Sequence, residues 1–202
     1  MIQLADYKEF RYQTTLKEAS VNQSDEKSKS YMTDICLPVI DFDKVKEQYV
    51  RKFELEQVPA SNDALLQVGE NVFFVEFKDG NMSSEIFDVV RKIYDSLLIY
   101  CDITNQTISD IRSYMTYIIV YNGKASKKYI DGCDAKRKNK HTINNSPSFL
   151  KWGDMLGKMA KTNADVFGLR GRFGGIYFKN VLSVEKNELS AHIFTADEHA
   201  KR

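Results

Sequence analysis

Residues 63–78 read DALLQVGENVFFVEFK: two apolar runs, 63–68 and 71–78, separated by Gly69-Glu70. A glycine at the first central position of a two-residue connection suits a type II′ hairpin turn. With that turn Val68 faces Asn71, and counting outward sets Asp63 opposite Glu76. Side chains alternate along a strand, so Asp63, Glu76 and Lys78 point to one face of the sheet. Residues directly opposed lie roughly 4.5–5.5 Å apart at Cβ, where like charges repel. The second strand is oily on both sides until its end, and its two charges there need a reason.

Two readings meet that need. In the first, a hard divalent cation, Mg²⁺ or Mn²⁺, lies between Asp63 and Glu76. Mg²⁺ takes oxygen ligands, keeps several waters and often needs only one or two carboxylates plus a substrate phosphate. Such an ion lowers the pKa of a bound water and neutralises charge developing on phosphate. Lys78 would then orient that water or steady the phosphate in the transition state. In the second, Lys78 pairs with Glu76 or Asp63 as a structural ion pair near the strand end.

Around the hairpin the pattern alternates between helix and strand. DFDKVKEQYVRKFELEQ, from Asp41, places Phe42, Val45, Tyr49 and Phe53 near helical spacing, which predicts a helix over 41–56 capped by Asp41 or Asp43. Ile86, Val89, Val90, Ile93 and Leu97 predict a second helix over 84–101, with Ser83 or Ser84 as its cap. YMTYIIVYN (114–122) is β-branched and aromatic, a strand composition. Residues 18–30 are polar and read as a solvated connection; 31–40 read as partly extended. Further on, 149–161 is expected to be helical, 172–184 to contain a strand, and EKNELSAHIF to form a short helix. Helices alternating with strands make an α/β pattern.

The 202 residues fit one domain, with 29 Lys plus Arg against 28 Asp plus Glu, a net charge of +1 that names no partner. Cys36, Cys101 and Cys133 are widely spaced, odd in number and in no metal-ligand spacing, which fits a reduced compartment. The first residues, MIQLADYKEFRYQ, carry charges where a signal peptide needs an apolar stretch, and no run approaches the ~20 apolar residues of a membrane span. A cytoplasmic protein without membrane contact is the expectation.

The segment 123–140 holds seven basic residues against Asp131 and Asp134. Lys136, Arg137 and Lys138 in it are candidates for phosphate contact, against the plainer reading of a solvated loop. His141, His192 and His199 are too dispersed for a zinc site. GLRGRFGG (168–175) lacks the strand-before, helix-after context of a nucleotide-binding fingerprint.

Asp63, twelve intervening residues, then Glu76-Phe77-Lys78 resembles the motif of the PD-(D/E)XK nuclease superfamily, the restriction-endonuclease-like fold. In that family a helix precedes a hairpin carrying Asp and (D/E)-x-K, and a helix and a further strand follow. The resemblance covers about residues 41–122; it implies a restriction-endonuclease-like core with a mixed β-sheet flanked by helices, followed by a C-terminal α+β extension over about 123–202. It implies metal-dependent hydrolysis of phosphodiester bonds in DNA or RNA, with Asp63 and Glu76 on the metal and Lys78 assisting catalysis. Asn62 stands where the family has proline. The family's further acidic residue from the preceding helix falls to Glu47, with Glu54 and Glu56 as the other candidates. RKIYDS in the second helix offers Lys92, with Tyr94 nearby, for nucleic acid, or else a snorkelling lysine and a half-buried ring. The alternative of another class is a catalytically silent relative, binding a protein partner in an immunity or anti-phage defence setting. A third is one subunit of a larger nuclease.

Overall fold

The structure, a computed structural model, describes residues 2–22, 30–127, 130 and 166–189. Within these, two 3₁₀ turns (Leu4–Asp6 and Lys8–Phe10) lead into β1 (Gln13–Thr15) and α1 (Leu16–Ala19), then the small pair β2 (Val21–Asn22) and β3 (Ser30–Tyr31). There follow β4 (Pro38–Asp41), α2 (Phe42–Phe53), β5 (Ala64–Val68), β6 (Asn71–Lys78), α3 (Met82–Thr104), α4 (Ile108–Ile111) and β7 (Met115–Tyr121). After residue 165 come α5 (Leu169–Phe173) and β8 (Asn180–Glu185). Six strands form one mixed open sheet in the order β1-β4-β5-β6-β7-β8. β1, β4, β5 and β6 pair antiparallel in turn; β7 is parallel to β6, and β8 to β7. The chain is thus α/β, a mixed sheet flanked by helices.

The hairpin has the expected register. Val68 pairs with Asn71 and Ala64 with Val75, so the next step of the count sets Asp63 against Glu76. Gly69 has φ +59°, while Glu70 is not among the residues of positive φ, the combination a type II′ turn needs. The sheet is covered on both sides. Val72, Phe74, Tyr117 and Ile119 face Phe42, Val45, Val89, Ile93 and Leu97 of α2 and α3. Phe73, Val75, Ile118, Val120, Leu182 and Val184 face the other way, toward Leu16, Met32 and Leu189. Burial on both faces is why β6 and β7 read as continuous apolar runs rather than alternating ones. A buried Val or Phe contributes roughly 1.5–3 kcal/mol, and against that background the fully buried Glu76 is a costly exception.

Helix ends differ in detail from the expectations. Asp41 caps α2, accepting from the Lys44 N–H at 3.1 Å, but the helix stops at Phe53 because Glu54 turns left-handed (φ 50°). The cap of α3 is Asn81, whose Oδ1 accepts from the Ser83 N–H, rather than Ser83 or Ser84. An amide two residues before the serines reaches the first free N–H, and Ser84 instead donates its hydroxyl back to the Asn81 carbonyl. The polar stretch 18–30 is not all connection, since it contributes to α1, β2 and β3. The strand expected in 172–184 is β8, with α5 covering the arginines of GLRGRFGG. The helix expected over 149–161, the second half of the terminal one, Lys136, Arg137, Lys138 and the three histidines lie outside the described residues. No helix among the described residues is long and apolar enough to cross a membrane.

Candidate active site

Outside the carboxyl ends of parallel strands lies the crevice where α/β sheets usually bind ligands. β6 ends there with Glu76 and Lys78, and Asp63 approaches from the residue just before β5. Fixing Asp63 takes two bonds. The Phe77 N–H donates to its Oδ2 at 2.6 Å, and its own carbonyl accepts from the Phe42 N–H at the start of α2. The three residues singled out in the hairpin therefore share one corner and one face.

What lies between the carboxylates is Lys92. Its Nζ donates to Glu76 Oε1 at 2.7 Å and to Asp63 Oδ1 at 3.3 Å, so a single cation bridges both acids. Lys78 sits beside it, 3.3 Å from the same Glu76 oxygen, and also reaches Glu85 at 3.1 Å and Asp88 at 3.2 Å. Arg91 in turn pairs with Asp88 at 3.0 Å. Glu85, Asp88 and Lys92 recur at i, i+3 and i+7 of α3, one helical face, and that face closes the site. Lys92 is thus engaged by both acids in this structure; its spacing with Glu85 and Asp88 is the signal in the sequence for that place.

Glu47 does not join this group. It is exposed on α2, and its carboxylate lies 3.7 Å from Arg51 one turn on. The acidic residue that α2 brings closest is Asp43, in its first turn. Asp43 accepts from the Ser61 hydroxyl two residues before Asp63 and pairs with Lys46 at 2.9 Å. Helix α2 presents its beginning, not its middle, to the strand ends.

Buried polar atoms extend the site downward. Glu76 Oε2, the Tyr117 hydroxyl and both amide atoms of Asn62 are buried without a hydrogen-bond partner among the described residues. Leaving a buried polar group unsatisfied costs about 1–3 kcal/mol, so these atoms weigh against the stability of the strand ends. Tyr117 is hidden in the sequence as one aromatic in an apolar strand. Burial, then the negative charges of Glu76 and Asp63, push its phenol well above the ordinary range.

The same forces act on the acids. Burial, and next the charge of Asp63, push the Glu76 carboxyl up to about 8, although Lys92 and Lys78 oppose the shift. Asp63 is raised by burial against the pull of Lys92. The Lys92 ammonium is lowered by burial but raised more by Asp63 and Glu76, so it stays charged. At neutral pH the pair of acids therefore holds a proton that a stronger cation would expel. This gives a direct prediction. Free Glu titrates near 4.5 and folded Glu76 near 8, so between those values the folded state binds more protons and stability falls as pH rises. Urea unfolding at pH 5 and at pH 8.5 should differ by roughly 2–4 kcal/mol in favour of acid, and Glu76→Gln should flatten the profile. Stability rising across that window would contradict the assignment.

A metal here would rest on Asp63 and Glu76 alone, since no three His, Cys, Asp or Glu side chains converge among the described residues. Two carboxylates suffice for Mg²⁺ when water and a phosphate complete the shell. The gap accepts a cation within 2.7–3.3 Å of both acids, as Lys92 shows, and Glu76 has a further buried oxygen without a partner. The residues fit a hard cation, provided the Lys92 ammonium gives way to it. Comparison with protein-family models, with curated proteins and with solved structures returns no match for the chain.

Proposed function

We propose that this protein is a metal-dependent nuclease with a restriction-endonuclease-like core, hydrolysing phosphodiester bonds of a nucleic acid. One observation carries the reading: the carboxylates of Asp63 and Glu76 converge on one cation at the end of β6, with the Lys78 ammonium 3.3 Å from the same oxygen. The order α2, β5–β6 hairpin, α3, then β7 parallel to β6 supports it, being the order that the family resemblance implies. Mg²⁺ or Mn²⁺ held by Asp63 and Glu76 would supply an activated water and neutralise phosphate charge. Lys78, only 11% exposed and held by three acids, keeps its ammonium in place to hydrogen-bond that water or a phosphate oxygen. Lys92, displaced from between the acids, has a phosphate as its next anionic partner.

A second reading has its own observation. Lys92 already neutralises both carboxylates without a metal, which is the arrangement a catalytically silent, partner-binding relative would keep. Thermal melting at pH 8 with and without Mg²⁺ or Mn²⁺ separates the two. An ion at tenfold excess over its Kd should raise Tm by about 3–6 °C, Asp63→Asn should abolish the rise, and DNA or RNA should be cut in the same buffer. No shift and no cleavage would leave the silent reading standing.

A further inference from the structure

A cavity of about 260 Å³ lies between the N-terminal 3₁₀ turn, α2 and the end of α3, away from the carboxylates. Tyr49 and Ile103 give it an apolar floor, and Lys8, Arg11, Lys52, Glu9 and Gln48 complete its lining. Three cations against one acid leave an excess of positive charge. Lys52 is only loosely engaged with Glu9, at 3.5 Å, and Lys8 and Arg11 have no acidic partner among the described residues. Arg11 stacks on Tyr12, 5.3 Å from the ring centre, which holds its guanidinium at the rim. The Tyr12 hydroxyl donates to Gln48 Oε1 at 3.1 Å, fixing that amide so that its NH₂ is left to donate. The Tyr49 hydroxyl is tied to Asp102 at 3.0 Å, so its ring is held in position. An apolar pair in Tyr49 and Ile103, an amide oriented by Tyr12 and an excess of cations are recognition elements for a base joined to a phosphate.

We infer that this cavity binds one nucleotide unit, base against Tyr49 and Ile103 and phosphate against Lys8, Arg11 and Lys52. The inference rests on the nuclease reading for its substrate class and adds where the strand is gripped. From Asp43, the α2 residue beside the carboxylates, to Tyr49 is six residues, about 9 Å along the helix axis. From Lys92, which bridges the acids, to Ile103 is eleven residues, about 16 Å along α3, so the cavity lies beyond the nucleotide whose phosphate reacts.

The test uses the full chain in a chelating buffer, with a labelled single-stranded oligonucleotide and adenosine monophosphate as probes. Changing Lys8, Arg11 and Lys52 together to Gln should weaken oligonucleotide binding about tenfold or more, and flatten the salt slope by about 0.7 for each phosphate that is no longer neutralised. Ile103→Trp, which fills the cavity and leaves its charge alone, should weaken binding as well. Competition by adenosine monophosphate would show that a free nucleotide also fits; binding of the oligonucleotide alone would make the occupant a unit within a strand. If Ile103→Trp binds normally, or the wild type binds neither probe, the cavity is not a nucleotide site. Cleavage with normal binding by both variants would overturn this inference alone. Nucleotide binding with no cleavage after Mg²⁺ or Mn²⁺ is added would retain it and remove the nuclease reading.

Discussion

Lys92→Met should lower stability by about 3–5 kcal/mol at pH 8, a fall in Tm of roughly 6–20 °C for a chain of this size. Lys92 is mostly buried, and among the described residues its ammonium is the one group that pairs with both Asp63 and Glu76. Methionine keeps the length and apolar stem but removes the charge, leaving two facing carboxylates in a low-dielectric corner. Removing one partner of a buried pair is costly because the other charge remains uncompensated. The loss has a built-in pH dependence. Without Lys92 both acids hold their protons to higher pH, so the variant should be nearly as stable as wild type near pH 5 and much weaker at pH 8. Urea unfolding at the two values measures this. A loss under about 1 kcal/mol at pH 8, or an equal loss at both, would mean that Lys92 does not hold the acids together.

That bridge also marks where the sequence stops being informative. The hairpin can be read closely because its constraints are local: a two-residue turn at Gly69-Glu70 and a period of two leave Asp63, Glu76 and Lys78 no choice of face. The position of Lys92 depends on how α3 is rotated and docked on the sheet. Periodicity gives a helix face but not which strand residue that face meets. The three-residue face of Glu85, Asp88 and Lys92 is a usable hint, since a buried strand end with two charges needs partners from whatever covers it. Asp43 escapes a reading of the sequence for a related reason. Glu47 sits mid-helix, clear of the frayed end that holds Glu54 and Glu56, yet it is the first turn of α2 that follows β4 directly and meets the strand ends. Tyr117 carries no signal at all, because an aromatic in a β-branched run is what a core strand needs for packing alone.

On the nuclease reading, Lys78→Ala should reduce the single-turnover cleavage rate by about 10²–10⁴ while leaving the Mg²⁺-induced rise in Tm in place. The separation follows from geometry. Lys78 touches Glu76, Glu85 and Asp88 but not Asp63, so its loss leaves both metal-binding carboxylates in position. Asp63→Asn should remove the rate and the melting shift together, since it withdraws one of only two protein ligands. It also relieves the repulsion between opposed acids, so the metal-free variant should be at least as stable as wild type above pH 8. Substrate binding in a chelating buffer should survive both changes, which makes the Lys78 defect one of turnover rather than affinity. Equal rates for wild type and Lys78→Ala would assign Lys78 to charge balance alone. A catalyst needs the ammonium at the reacting phosphate, whereas a structural network needs only charge near three acids. Lys78→Arg distinguishes these demands: it preserves the charge and misplaces the donor, so it should keep the Tm and lose the rate.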